Sequence, residues 1–250
     1  MLAGGEIMTT VAVMAQPPEP GVLPELVADD VLSEAEAADL YEAMLADVCE
    51  TVDASGGDLL VNYRPADGID ADVDDPEATV REVVDPIVDE DPRYEVQVGS
   101  TFSARVGNTV THLLEREGVR TVGVLRPSAA LCGRQRIDSA AMKLRTSTVV
   151  LGPSTGGGVY YAAFEDTIDF EDAFATPAVE TLVHRANDAG HDVDFVPPIP
   201  TMGTRDDLLT AVPQLRAHRE SGGRWVPRRT IDVVDSLGLR VEDGPTLVRE

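Results

Sequence analysis

The chain is nearly devoid of lysine. Lys143 stands alone among 20 basic residues, and the rest are arginine. Aromatic residues make up only 4% of the 250 positions, and no basic run exceeds Arg228–Arg229. A nucleic-acid partner needs a basic stripe and aromatic platforms for bases, so that partner class is excluded. An anionic membrane surface is disfavoured on the same ground. There are two cysteines, Cys49 and Cys132. They cannot form a disulfide framework, and they read as small buried apolar groups of a protein in a reducing cytosol. No stretch approaches the uninterrupted apolar run that a membrane helix requires. The opening MLAGGEIMTT has neither a basic start nor an apolar core, so no signal peptide is expected. Residues 1–8 read as a disordered overhang, with Met8 as an alternative start. No phosphate-loop, dinucleotide, zinc-protease, paired C-x-x-C or nucleophile-elbow pattern occurs.

What is abundant is acid. Forty-five Asp and Glu against 20 bases give a net charge of −25. In dilute buffer such a chain repels itself, whereas at 1 M salt the Debye length is only ~3 Å. With lysine almost absent, the composition predicts a haloarchaeal cytoplasmic protein that loosens when desalted, in preference to an acidic mesophilic one. Hydrophobic residues reach 43%, enough for a full core and against general disorder.

Strand and helix patterns alternate along the chain. Thr10–Ala15, Asp58–Tyr63, Tyr94–Val98, Val119–Leu125, Thr148–Leu151, Val159–Phe164 and Val193–Val196 read as strands. Ser33 with Glu36 and Thr204 with Asp207 mark helix starts. Further helices are expected after Glu77, after Phe102, over Ile137–Leu144, after Pro177 and near Thr230–Leu237, with Pro213 ending or kinking the one that begins at Thr204. Repeated βαβ units predict an α/β fold with a mostly parallel sheet flanked by helices. Ligands in such sheets bind beyond the carboxyl ends of the strands, which directs attention to loops 16–32, 126–134 and 152–158. Residues 9–220 read as one domain, with 221–250 an extension packed on it.

Small polar clusters have ordinary explanations. Eleven acids between residues 67 and 91 lack the spacing of a calcium loop. Glu180 and His184, four apart, read as a solvated helix pair. His191 with Asp192 and Asp194 reads as a plain turn. Gly156–Gly158 reads first as a turn and second as a backbone nest for phosphate.

Several blocks together resemble a known family. Pro18-Glu19-Pro20-Gly21 is followed by Ser33 to Asp47 (SEAEAADLYEAMLAD). Gln97, Gly99 and Arg105 come next, then Val149 to Pro153 with Gly157-Gly158, Phe174 to Pro177, and Asp206-Asp207-Leu208. Their order and spacing over residues 10–215 resemble a GT-A-fold, glycosyltransferase-like family of unknown function related to phospholactate guanylyltransferase. The resemblance implies a nucleotide-diphospho-sugar transferase-like fold and a nucleotide or nucleotide sugar as ligand. It also implies cations for the phosphates and acids for a divalent metal.

This chain departs from that pattern at the charged positions. Leu23 and Glu25 stand where the family has Lys and Arg. Pro127 and Gly156 stand where it has Asp, and Thr201-Met202-Gly203 replaces a D-x-D. A chain this rich in acid has lost carboxylates at the family's metal positions, so no metal ligands and no bound cofactor are expected. Two readings follow. The first is a degenerate, non-catalytic relative whose cleft takes another small molecule or a protein partner. The second is a working transferase in which Arg126, helped by Arg134 and Arg136, clamps phosphate directly. The candidate ligand-binding set is Gly21, Arg105, Arg126, Ser128, Gly152, Pro153, Ser154, Thr155, Gly157 and Gly158.

Overall fold

A computed structural model describes residues 9–69, 71–89, 91–222, 226–244 and 246–249. The overhang expected at residues 1–8 lies outside them. In chain order the first half contains β1 (Thr9–Ala15), α1 (Pro24–Ala28), α2 (Glu34–Asp53), β2 (Gly57–Tyr63), α3 (Pro76–Val84), β3 (Arg93–Val96), α4 (Phe102–Thr111) and β4 (Val122–Leu125). The second half contains α5 (Arg134–Lys143), β5 (Val149–Pro153), β6 (Val159–Phe164), α6 (Ala178–Asp188), β7 (Val193–Phe195), α7 (Arg205–Glu220), α8 (Arg228–Ser236), β8 (Leu239–Glu242) and β9 (Thr246–Arg249).

Seven strands form one sheet in the order β3-β2-β1-β4-β6-β5-β7. β6 runs antiparallel to both its neighbours, and the other pairings are parallel. β1 is buried along its whole length, as a continuous apolar run in a doubly covered sheet demands. Its alternate residues feed opposite faces. Val11 and Val13 join the core under α2, α7 and α8, while Ala12 and Met14 join the core under α4 and α6. The C-terminal residues extend the first core: Ile231 and Val234 of α8 and Leu239 of β8 are buried in it. Among the described residues, no helix is long and apolar enough to cross a membrane.

The predicted capping boxes form. Ser33 Oγ accepts from the Glu36 N–H at 3.3 Å, and the Ser33 N–H donates to Glu36 Oε2 at 2.8 Å. Thr204 and Asp207 do the same at the start of α7. Two expectations need correction, and one is narrowed. Of the two outcomes expected at Pro213, ending the helix does not occur, because α7 runs through to Glu220. Pro213 is exposed, so the carbonyl it leaves unbonded can reach water, and the buried Leu208, Ala211, Val212 and Leu215 hold the helix on both sides. β4 is shorter than the Val119–Leu125 pattern, because the Val119 N–H closes the π-helical turn His112–Arg116 that follows α4, donating to the Leu113 carbonyl at 3.0 Å. Pro177 caps α6 from outside instead of opening it.

Candidate functional site

The strand order reverses beside β1. The chain steps outward through β2 and β3, then crosses to the other side of β1 for β4. The carboxyl ends of β1 and β4 therefore flank a crevice of the kind that receives ligands in open α/β sheets. Arg126 is the first residue beyond β4 and Arg64 the first beyond β2. Arg105 stands in the first turn of α4, which follows β3.

Arg126 reaches solvent. Its guanidinium lies over the Phe102 ring, 4.3 Å from the centroid, a cation–π contact that leaves its in-plane donors free. It joins no ion pair within 4.0 Å among the described residues. Although its tip is accessible, the surrounding walls exclude most water, and that desolvation lowers its pKa. The carboxylates of Asp207 and Glu25 act in the opposite direction. The loop after β1 and the start of α7 thus border Arg126 without pairing with it.

Two more guanidiniums stand close by. Arg105 is half-buried, with its Nε enclosed and without a hydrogen-bond partner. Desolvation lowers its pKa, and repulsion from Arg64 and Arg126 lowers it further. The Arg64 N–H extends the sheet by donating to the Ala15 carbonyl at 3.1 Å. Its Nη1 donates to Gln16 Oε1 at 3.3 Å, and its Nε is enclosed without a partner. Tyr41 of α2 sits between these charges. Its Oη accepts from the Gln16 N–H at 3.0 Å, and burial pushes its phenol above the usual range.

The Gln97-Gly99-Arg105 pattern has a structural basis. Gln97 Nε2 donates to the carbonyls of Ala15 (2.8 Å) and Asn62 (2.6 Å), tying the ends of β1 and β2 together. Gly99 has φ +136°, and a Cβ there would lie 2.9 Å from the Ala104–Arg105 backbone. Only glycine lets the loop lie against α4 this closely, and that contact fixes the base of Arg105.

The glycine-rich turn between β5 and β6 is tied to the start of α7. Ser154 N–H donates to the Gly158 carbonyl at 2.8 Å, and Gly156 and Gly157 have φ of +64° and +76°. The Thr155 hydroxyl donates to Asp207 Oδ1. Asp207 Oδ2 also accepts from Thr201 Oγ1 (2.9 Å), Gly203 N–H (3.2 Å) and Thr204 N–H (3.2 Å). This buried carboxylate is saturated by four donors. It anchors the turn to α7 and does not neutralise Arg126.

The remaining candidates divide. Gly21 lines a 300 Å³ cavity with Gln16, Glu19 and Arg64. Ser128 is half-buried, and its carbonyl accepts from the Met202 N–H at 2.9 Å. Gly152 faces packing, since a Cβ there would lie 2.5 Å from the Tyr160 ring. The Pro153 carbonyl accepts from the Ile199 N–H at 3.2 Å. Arg134 does not join the crevice. It donates to the Ala54 carbonyl at 3.3 Å, just before the amino end of β2 and so at the opposite end of the strands. Glu180 and His184 are both exposed, and His191 Nε2 contacts the Thr167 carbonyl at 3.0 Å. The sequence reading missed Arg64. Its position immediately after the strand pattern DLLVNY was the available signal.

Leu23 and Pro127 supply no ligand to a divalent metal. Leu23 is buried and holds a left-handed φ of +48°, and Pro127 is buried in a short 3-10 turn. Neither offers an oxygen side chain, and the Asp207 oxygens are already engaged. Among the described residues, three potential ligand atoms converge within 4.8 Å at Glu95, His112 and Glu117. That group surrounds Arg93, which pairs with Glu95 and Glu117.

No family model matches the chain, and no curated protein matches its sequence. Solved structures do match. A protein provisionally named a nucleotide-diphospho-sugar transferase, from Desulfovibrio desulfuricans G20, superposes with a TM-score of 0.72 at 20% identity, covering 92% of this chain and 95% of its own. A cytidylyltransferase from Leptospira borgpetersenii gives 0.52 at 10% identity, covering 92% and 95%. The 4-diphosphocytidyl-2C-methyl-D-erythritol synthase of Anaerococcus prevotii gives 0.51 at 11%, covering 84% and 100%. The fold is that of the nucleotide-diphospho-sugar transferases. Identities this low establish the architecture alone.

Proposed function

We propose that this chain binds a nucleotide or nucleotide sugar in the β1/β4 crevice and holds its phosphates with guanidinium groups in place of a divalent metal. One observation carries this reading. In a chain with 45 acids, Arg126 stands at the carboxyl end of β4 without a carboxylate partner among the described residues. Arg64 and Arg105 reinforce its positive field. Partly dewatered cations that repel one another are stabilised by an anion, and a guanidinium engages phosphate oxygens in pairs. The resemblance to nucleotide-dependent transferases supplies the ligand class. In this reading Arg126 contacts a phosphate, Phe102 fixes the plane of its guanidinium, and the turn anchored by Asp207 closes the crevice opposite.

Melting the protein in molar KCl with GTP, UDP-sugars or inorganic diphosphate, with Mg²⁺ or with a chelator, tests it. A ligand at 100 times its Kd adds about 2.7 kcal/mol of stability. The expected result is a shift that persists in chelator and disappears in Arg126→Ala. A shift that requires metal would overturn the arginine site. No shift with any nucleotide would leave the non-catalytic relative with a different partner.

A further inference from the structure

Beside the crevice lies a larger cavity of about 590 Å³, bounded by Arg64, Val96, Gln97, Val98, Gly99 and Arg105 among others. It differs from the 300 Å³ cavity on the other side of Arg64, which shares Asp67 but adds the carboxylate of Glu19. Here Val96 and Val98 are 46% and 61% exposed, large apolar side chains left uncovered at the end of edge strand β3. Gln97 cannot serve a ligand through its amide nitrogen, which is spent on two backbone carbonyls. The cations facing the space are the two guanidiniums, whose Nε atoms are enclosed and unpartnered, and Ser100 also lines it. Asp67 is the carboxylate in the lining, and it pairs with neither arginine within 4.0 Å. A cavity of this volume suits a small organic molecule.

We propose that this cavity is a second binding site, for a small organic anion. Its phosphate or carboxylate lies between Arg64 and Arg105, and its apolar body rests on Val96 and Val98. It is separate from the phosphate position at Arg126. The site deepens the transferase reading by giving the class of the second substrate, an anionic acceptor with an apolar skeleton.

Calorimetric titration in molar KCl tests this with phenyl phosphate, benzoate, inorganic phosphate and benzyl alcohol, each with and without saturating GDP. Phenyl phosphate or benzoate should bind about tenfold or more tightly than inorganic phosphate, and benzyl alcohol should not bind. The tighter of the two anions identifies the head group. Val98→Asp, at an exposed position, and Arg105→Ala should each weaken that anion about tenfold. GDP should leave its affinity unchanged. Displacement by GDP, one molecule for one, would make the cavity part of the nucleotide site and overturn the proposal. So would the failure of both aromatic anions to bind at about 10 mM. Loss of GDP binding with the anion retained would sink the crevice reading alone.

Discussion

Two groups of arginines on this molecule live under opposite rules. Arg93, on the edge strand β3, is wrapped by acid. It pairs with Glu95 and Glu117, while His112 Nε2 adds a 2.9 Å contact to Glu117. Those carboxylates push its pKa up, and it in turn holds Glu117 below the usual carboxylate range. Arg126 and Arg105 face the crevice, and their pKa values are pushed down by lost water, with repulsion from like charge adding at Arg105. A chain with more than two acids per base has no shortage of partners. Leaving three guanidiniums unmatched at the carboxyl ends of parallel strands is a cost to folding, and in the proposed reading it is recovered when an anion arrives. In that reading charge is matched where it holds the fold and unmatched where a ligand is to be received.

The largest expected effect breaks the comparison globally. Dialysis from molar KCl into dilute buffer restores long-range repulsion among 45 acids. The melting temperature should fall by about 10 °C or more, the equivalent of a few kcal/mol for a chain of this size. Calorimetric scans across a salt series check it, and a flat series would mean that the acidic surface is not adapted to salt. The ion pairs around Arg93 should strengthen as salt is withdrawn, so they cannot be the cause of the loss.

A pair of variants sharpens the contrast directly. Arg126→Ala should leave the free protein as stable as before, or slightly more so, and abolish the ~2.7 kcal/mol given by nucleotide at 100 times its Kd. Arg93→Ala should lower the stability of the free protein by about 0.5–1 kcal/mol, the ordinary worth of a part-exposed ion pair, and leave the nucleotide shift intact. Thermal melts of both variants with and without ligand read all four numbers. Loss of the nucleotide shift in Arg93→Ala would erase the distinction.

The C-terminal strand offers a further case of matched charge. Arg249 pairs with Glu36, whose pKa falls from 4.5 to about 2 through the Arg249 hydrogen bond and that from the Ser33 N–H. A carboxylate with a depressed folded pKa stabilises above its unfolded value, and that contribution is lost as pH falls toward 2. Glu36→Gln should therefore flatten the stability curve between about pH 4.5 and pH 2 and lower the plateau above it. An unchanged acid limb would show that the pair does not anchor β9.

How far the sequence foretold these regions depends on the range of the forces involved. Ser33 with Glu36 and Thr204 with Asp207 are legible because a cap is a bond across three residues. Gly99 and Arg105 are legible as a family pattern, and the structure supplies the physical reason in the close approach of loop and helix. Arg126 was found because strand ends bear ligands in this architecture. Arg64 follows the same rule but was missed, although Pro65 and Gly68 mark the loop that it opens. The antiparallel course of β6, the buried four-donor environment of Asp207 and the survival of α7 past Pro213 all depend on contacts between distant segments. Local propensity does not encode such contacts.

The smallest expected effect concerns Glu25. This residue stands where the family that the chain resembles carries a cation, and a carboxylate inside such a loop would repel a triphosphate. In the structure its side chain is exposed on α1 and makes no ion pair within 4.0 Å among the described residues. It acts on Arg126 only as the weaker of two stabilising carboxylates, after Asp207. Salt screens a charge so placed far more than it screens a guanidinium held between walls. Glu25→Gln should therefore tighten nucleotide binding by about twofold to threefold in dilute buffer, and by less than the error of the measurement in molar KCl. A large gain in molar KCl would place the carboxylate inside the closed part of the crevice, in direct opposition to the phosphates. The unmatched charge of the three arginines would then be partly cancelled from across the site, and the contrast with Arg93 would lose its meaning.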